Sequence, residues 1–144
     1  MNPLTIKCLT KDKRCVIPTK AYDTDVGYDL TIIDIFKVVS DTITIFETGI
    51  AVSSPEGYYV EIIPRSSLSK SGYMLANSIG IIDPSYTGTL KIALIKVDHT
   101  TPNLELPFKC CQLVLRKLEN SNLELVDSFK ETERGTGCFG STNK

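Results

Sequence analysis

Apolar and polar positions along this chain change over in short runs, and the clearest run has a period of two. In "TLKIALIKV", Thr89 to Val97, the residues Leu90, Ile92 and Leu94 occupy alternate positions. That spacing puts all three on one face of a strand. Similar runs recur as "LTIKCL", "DLTIIDIF", "TITIF", "GIAV", "YYVEII", "SIGII", "CQLVLRKL" and "LELV". Ile, Val, Thr and Tyr dominate them, and Gly, Pro, Asp, Ser and Asn separate them. No window keeps an apolar period of 3.6 for the length of an ordinary helix. The one helical candidate is the brief "RSSLSKSG", which Gly72 ends. Many short strands at regular spacing predict an all-β fold, a jelly-roll-like β-sandwich or barrel. The final stretch, "ERGTGCFGSTNK", offers no apolar face and is rich in glycine. The expected organisation is therefore one β domain over residues 1–133 and a flexible C-terminal tail over 134–144.

Composition narrows the class. The chain has 144 residues, 42% hydrophobic and 23% charged, which are ordinary values for a single globular domain. The formal net charge of -1 gives no basic field, so no nucleic-acid partner is expected. No stretch has the apolar length of a membrane span, and no cationic start precedes an apolar core as in a signal peptide. Five cysteines, Cys8, Cys15, Cys110, Cys111 and Cys138, make an odd set with no C-x-x-C spacing. They read as small apolar residues in a reduced, intracellular protein. The only histidine, His99, sits in the turn-like "DHTTP", which argues against a histidine triad or a multi-histidine metal site.

Four segments carry more polar chemistry than a β scaffold needs. In "TDVGYDL", Gly27 suits a bend and Asp29 opens a strand. In "IIPRSSLS", a strand runs into Pro64, Arg65, Ser66 and Ser67, where a short helix would present N–H groups to an anion. In "NSIGIIDPSYTG", Asp83 follows "GII" at the mouth of a hairpin, where apolar neighbours would desolvate it and raise its basicity. In the tail, Arg134, Phe139 and the surrounding glycines suit the wrapping of an anion that carries a ring. Each segment alone reads equally as ordinary turn or capping chemistry.

In this order, the segments resemble the homotrimeric dUTP pyrophosphatase (dUTPase) family. The matching motifs are "GYDL", "PRSSL", "GIIDPSYTG" and "RGTGCFGST", with "CQLVL" as a weaker fifth. The resemblance implies hydrolysis of dUTP to dUMP and pyrophosphate. That reaction limits uracil incorporation into DNA and supplies dUMP for thymidylate synthesis. It implies Mg²⁺ as cofactor, a jelly-roll subunit and a homotrimer whose three sites are each built from three chains. Asp83 matches the general base, and Asp29 matches the residue that holds Mg²⁺ through water. Arg65, Ser66 and Gln112 match contacts to the phosphate chain. Asn77, with the backbone of Gly80 to Ile82, matches the hairpin that reads uracil. Tyr86 matches the residue under the deoxyribose, and Phe139 matches the ring over the base. Arg134, Gly140, Ser141 and Thr142 match the γ-phosphate clamp. Two positions depart from the pattern, since Ser67 and Cys138 stand where glycine is usual.

Two other readings remain open. One is a dCTP deaminase-like enzyme of the same superfamily. Such an enzyme needs a glutamate about five residues past the "TG" glycine for proton shuttling, and this chain has Ala93 there. The other is a non-enzymatic module that senses nucleotide or binds a partner on the same scaffold. The expected location is intracellular, cytoplasmic or nuclear, or the infected host cell for a viral protein.

Overall fold

The computed structural model describes residues 3–141. Nine strands and one short 3₁₀ helix follow each other along the chain. The strands are β1 Lys7–Thr10, β2 Tyr28–Ile32, β3 Asp34–Val38, β4 Ile43–Ser53, β5 Tyr58–Pro64, β6 Tyr73–Leu75, β7 Gly80–Ile82, β8 Thr89–Lys96 and β9 Phe108–Lys117; the helix is Ser66–Lys70. They form two antiparallel sheets. One has the order β1-β4-β8-β6, with β3 also paired to β4, and the other has the order β2-β9-β5-β7. This is the expected all-β, jelly-roll-like sandwich.

The inward-facing residues of both sheets make one core. Leu90, Ile92 and Leu94 of β8 are buried, as their alternation predicts. They meet Leu30 and Ile32 of β2, Val60 and Ile62 of β5, and Leu113 of β9. Burying a side chain of this size contributes roughly 1.5–3 kcal/mol. The one fully buried polar side chain among the described residues is Thr48, whose hydroxyl donates to Leu90 O at 2.7 Å and accepts from Ile50 N–H at 3.2 Å. It sits where β4 is bulged between Glu47 and Ala51, and the Glu47 carboxylate accepts the N–H groups of Thr48 and Gly49 there.

Several expectations need correction. "DLTIIDIF" is two strands, since the chain leaves one sheet after Ile32 and enters the other at Asp34. Periodicity does not mark this crossing, because Ile32 and Ile33 are both buried. "TITIF" and "GIAV" are one bulged strand, β4. "LELV" pairs with no strand among the described residues, and Leu123 and Leu125 stand 92% exposed. "RSSLSKSG" does form a helical turn, ended by Gly72 at φ +83°. His99 is exposed in a turn where Thr100 N–H donates to the Asp98 carboxylate, as expected.

Candidate functional site

Three neighbouring strands of the second sheet converge on one polar face. Asp29 of β2 lies opposite Gln112 of β9, and Gln112 lies opposite Ile63 of β5. Directly opposed residues share a face, so Asp29 and Gln112 project together. Arg65 follows the end of β5 and reaches back over that face. Its Nε lies 3.0 Å from Asp29 Oδ1, and its Nη1 donates to Lys109 O and to the Ser67 hydroxyl, both at 3.3 Å. Its backbone N–H donates to Cys110 O at 3.1 Å. Gln112 Nε2 donates to Pro64 O at 3.2 Å, which ties β9 to the turn that carries Arg65.

Gly27 makes this arrangement sterically possible. A Cβ there would lie 2.3 Å from Gln112 Oε1 and 3.0 Å from Gln112 Cβ. A side chain at position 27 would therefore displace Gln112. The helix start is left open as well. Arg65 occupies the N-cap with extended backbone, and no side chain caps it. Neither Ser66 nor Ser67 caps the helix, and the Ser67 hydroxyl touches Arg65 instead.

Asp83 lies elsewhere in the chain. Gly80–Ile82 is an edge strand paired only with β5, not one arm of a hairpin with the following strand. The register is Ile82 opposite Val60 and Gly80 opposite Ile62, so Asp83 comes level with Tyr59. Arg65 is six residues further along β5, a separation of roughly 20 Å at the rise of a strand. Asp83 is exposed and closes a turn in which Tyr86 N–H donates to its carbonyl at 3.0 Å. The desolvation expected at Asp83 is not supplied by its own chain. Asn77 is exposed in the turn before β7, and the next residue, Ser78, has φ +63°. Tyr86 packs over Gly88, where a Cβ would come within 2.8 Å of the ring, and its hydroxyl donates to Thr89 O at 2.6 Å.

The described part of the tail, 134–141, meets neither place. Arg134 Nε donates to Gly137 O at 2.8 Å, and Ser141 N–H donates to Cys138 O at 3.1 Å, so its hydrogen bonds are local. Gly135 and Gly140 adopt φ of +55° and +88°. Phe139, at φ +46°, is fully exposed. Thr142 lies outside the described residues.

The described residues offer a divalent cation no cage, because no three His, Cys, Asp or Glu side chains gather. A single carboxylate, Asp29, faces the polar site. That donor set fits Mg²⁺, which keeps most of its waters and takes phosphate oxygens with one or two carboxylates. Sequence reasoning missed one member of the face. Lys109 Nζ lies 3.9 Å from Asp29 Oδ2, and no motif pointed to it.

A family model described as dUTPase matches residues 13–143. The deoxyuridine 5'-triphosphate nucleotidohydrolase of Clostridium tetani is 34% identical over 142 residues, 98% of this chain and 97% of that protein. That of Finegoldia magna is 40% identical over 100 residues, 69% of this chain and 70% of the relative. Among solved structures, Staphylococcus bacteriophage 80alpha dUTPase with dUPNHPP superposes with a TM-score of 0.79 at 24% identity. The match covers 97% of this chain and 99% of that one, and it bears on the fold.

Proposed function

The chain belongs to the dUTPase family, and from that premise we propose that it hydrolyses dUTP to dUMP and pyrophosphate. The observation that carries the reading to this chain's own residues is the polar face of Asp29, Arg65 and Gln112, assembled from three strands and lined with anion-binding chemistry. Arg65, Ser66, Ser67 and Gln112 bind and orient the phosphate chain. Asp83 accepts the proton of the water that attacks the α-phosphorus. Asn77 and the backbone of Gly80 and Ile82, on the free edge of β7, read uracil. Tyr86 packs under the deoxyribose and leaves no room for a 2′-hydroxyl. Arg134, Gly140, Ser141 and Thr142 clamp the γ-phosphate while Phe139 covers the base and excludes water. Mg²⁺, held by Asp29 through water, would neutralise the phosphate oxygens.

The active species is a homotrimer with shared sites. Two observations support this. Within one chain, Asp83 stands roughly 20 Å along β5 from Arg65, too far for one water and one α-phosphorus to serve both groups. Leu123, Leu125, Val126 and Phe129 are exposed on a segment that lacks a partner in its own chain, a pattern that marks an interaction surface. Residues 1–133 then form the scaffold, and 134–144 complete a site.

The test is turnover of dUTP, UTP, dTTP and dCTP with Mg²⁺. Strong preference for dUTP, with pyrophosphate released, is expected. Ammonia from dCTP would establish the deaminase reading instead, and no turnover of any nucleotide would leave the binding module. Sedimentation equilibrium reports the trimer, and an active monomer would exclude shared sites. No helix among the described residues is long and apolar enough to cross a membrane.

A further inference from the structure

We infer that Lys109 is a phosphate-contacting residue of the same site, turned onto it by a β-bulge at Cys110. The inference rests on the dUTPase reading and adds a substrate contact to it. Strand alternation alone would hide this residue. Counting back from Gln112 on the polar face, a regular strand would bury Cys111, expose Cys110 and bury Lys109. The register differs: Leu30 pairs with Cys111, but Thr31 pairs with Lys109. One residue on β2 thus spans two on β9, and Cys110 is the extra one.

The bulge accounts for two otherwise odd facts. Cys110 and Cys111 are adjacent and both 0% exposed, where strict alternation would put one of them on the outer face. Lys109 comes out on the face of Asp29 and Gln112, where its side chain remains 47% exposed. Its Nζ lies 3.9 Å from Asp29 Oδ2, while Arg65 Nε holds Oδ1 at 3.0 Å. Arg65 also donates to the carbonyl of Lys109, which ties the guanidinium to the Lys109 backbone.

The charge balance points to an anion. Two cations flank one carboxylate, so this part of the face keeps a net positive charge. Arg65 already engages Asp29 and the Ser67 hydroxyl, whereas the Lys109 ammonium has three donors and, among the described residues, one distant partner. A phosphate chain meets that demand, and the flexible stem of lysine lets the charge follow it.

The experiment uses the full-length protein and three ligands: the non-hydrolysable α,β-imido analogue of dUTP, dUMP and uncharged 2′-deoxyuridine. Binding is measured by calorimetry, in EDTA and in Mg²⁺. Lys109→Gln should weaken the triphosphate analogue about tenfold, the worth of one charge-assisted contact. It should leave 2′-deoxyuridine unchanged. Lys109→Arg should recover most of the loss, and Lys13→Gln, which removes the same charge from an exposed loop, should lose nothing. If Lys109→Gln fails to fold, Lys109→Met keeps the apolar stem and takes its place. Analogue binding within twofold of wild type, or an equal loss for 2′-deoxyuridine, overturns the role. If wild type hydrolyses dUTP and the variant binds like it, only the Lys109 inference falls; if wild type neither binds the analogue nor hydrolyses dUTP, both readings fall.

Discussion

The polar face of β2, β5 and β9 and the C-terminal tail contain similar chemistry in opposite states. Each has an arginine, hydroxyls and glycine. On the face, Arg65 is held by a carboxylate, a carbonyl and a hydroxyl, and every supporting strand is anchored in the core. In the tail, Arg134 bonds, among the described residues, only a carbonyl three residues away, and Phe139 is fully exposed. Glycine serves different ends in the two places. Gly27 is a close-packing device that makes room for Gln112, whereas Gly135 and Gly140 supply positive φ in isolated turns. The face is preorganised before ligand arrives. In the proposed function the tail is ordered by that ligand, at a cost of about 1–2 kcal/mol of backbone entropy per residue fixed. On the proposed function, binding energy from the phosphates and the base is spent on closing the site, and that closure sets specificity and rate.

The harshest way to break this comparison is to delete 134–144. Turnover should fall by roughly 10³ or more, the scale of losing a mobile arginine at a phosphoryl centre. The melting temperature without ligand should be unchanged, because the described part of the tail buries nothing against the body. Mixing tail-deleted chains with Asp83→Asn chains sharpens the test. Shared sites predict that some mixed trimers regain activity neither parent has. Inactivity after verified subunit exchange would mean that base and tail come from one chain, and full activity of the truncated protein would leave the tail without a function.

Asp83→Asn comes next in size. It preserves shape and removes the proton acceptor, so kcat should fall by about 10² or more while the α,β-imido analogue of dUTP still binds. Because Asp83 is exposed in its own chain, the substitution should not lower the melting temperature. Near-normal kcat would remove Asp83 from the chemistry and leave the face without a base.

How far the sequence revealed these two regions depends on the kind of signal each carries. The β8 pattern at Leu90, Ile92 and Leu94 was fully legible because one face is buried and the other wet. The break after Ile32 was not, because the chain changes sheets inside an apolar run and both Ile32 and Ile33 are buried. Leu123 to Val126 read as a strand on composition, yet a strand needs a partner edge and among the described residues this segment pairs with none. The proposed site residues were legible only as short motifs. Their spatial division was not, since the roughly 20 Å between Asp83 and Arg65 comes from the β5–β7 register. Lys109 escaped because a bulge inverts the alternation that sequence reading relies on.

Gly27→Ala probes whether the face is as preorganised as its hydrogen bonds suggest. The new Cβ would collide with Gln112 Oε1, the mobile end of a side chain, so the Gln112 amide should swing away, while the 3.0 Å approach to Gln112 Cβ asks for a further shift of a few tenths of an ångström between the two segments. The bond from Gln112 Nε2 to Pro64 O would go with it, a loss of about 1 kcal/mol of stability. Activity should fall about tenfold, an order-of-magnitude figure for one misplaced substrate contact. Gln112→Ala should cost a similar amount, and the double substitution should cost little more than either alone. Additive losses would show that Gly27 acts on something other than Gln112.

The smallest effect belongs to a cluster that touches neither region, and it sets the floor for the comparison. Arg14 donates from its side chain and its backbone N–H to the Asp12 carboxylate, and its guanidinium also reaches Asp34 at 3.0 Å. The Arg14 side chain is the main reason the Asp12 pKa is held down at about 2, with the Arg14 backbone N–H adding to it. A carboxylate with a depressed folded-state pKa contributes stability that is present above its ordinary range, near 3.9, and is lost as pH falls through about 2. In Arg14→Ala the backbone donor remains, so the Asp12 pKa should rise only part of the way, which a carboxyl NMR titration reads directly. Wild type should melt slightly higher than the variant at pH 7, and that gap should close towards pH 2. Because these groups are exposed, added salt should shrink it too. Turnover of dUTP should be unchanged, since nothing in this cluster contacts the polar face or the tail. A large, salt-insensitive gap, or lost turnover, would mean that the Asp12–Arg14–Asp34 cluster is buried in the assembled protein and that the proposed trimer interface reaches further round the body than the exposed 123–129 segment.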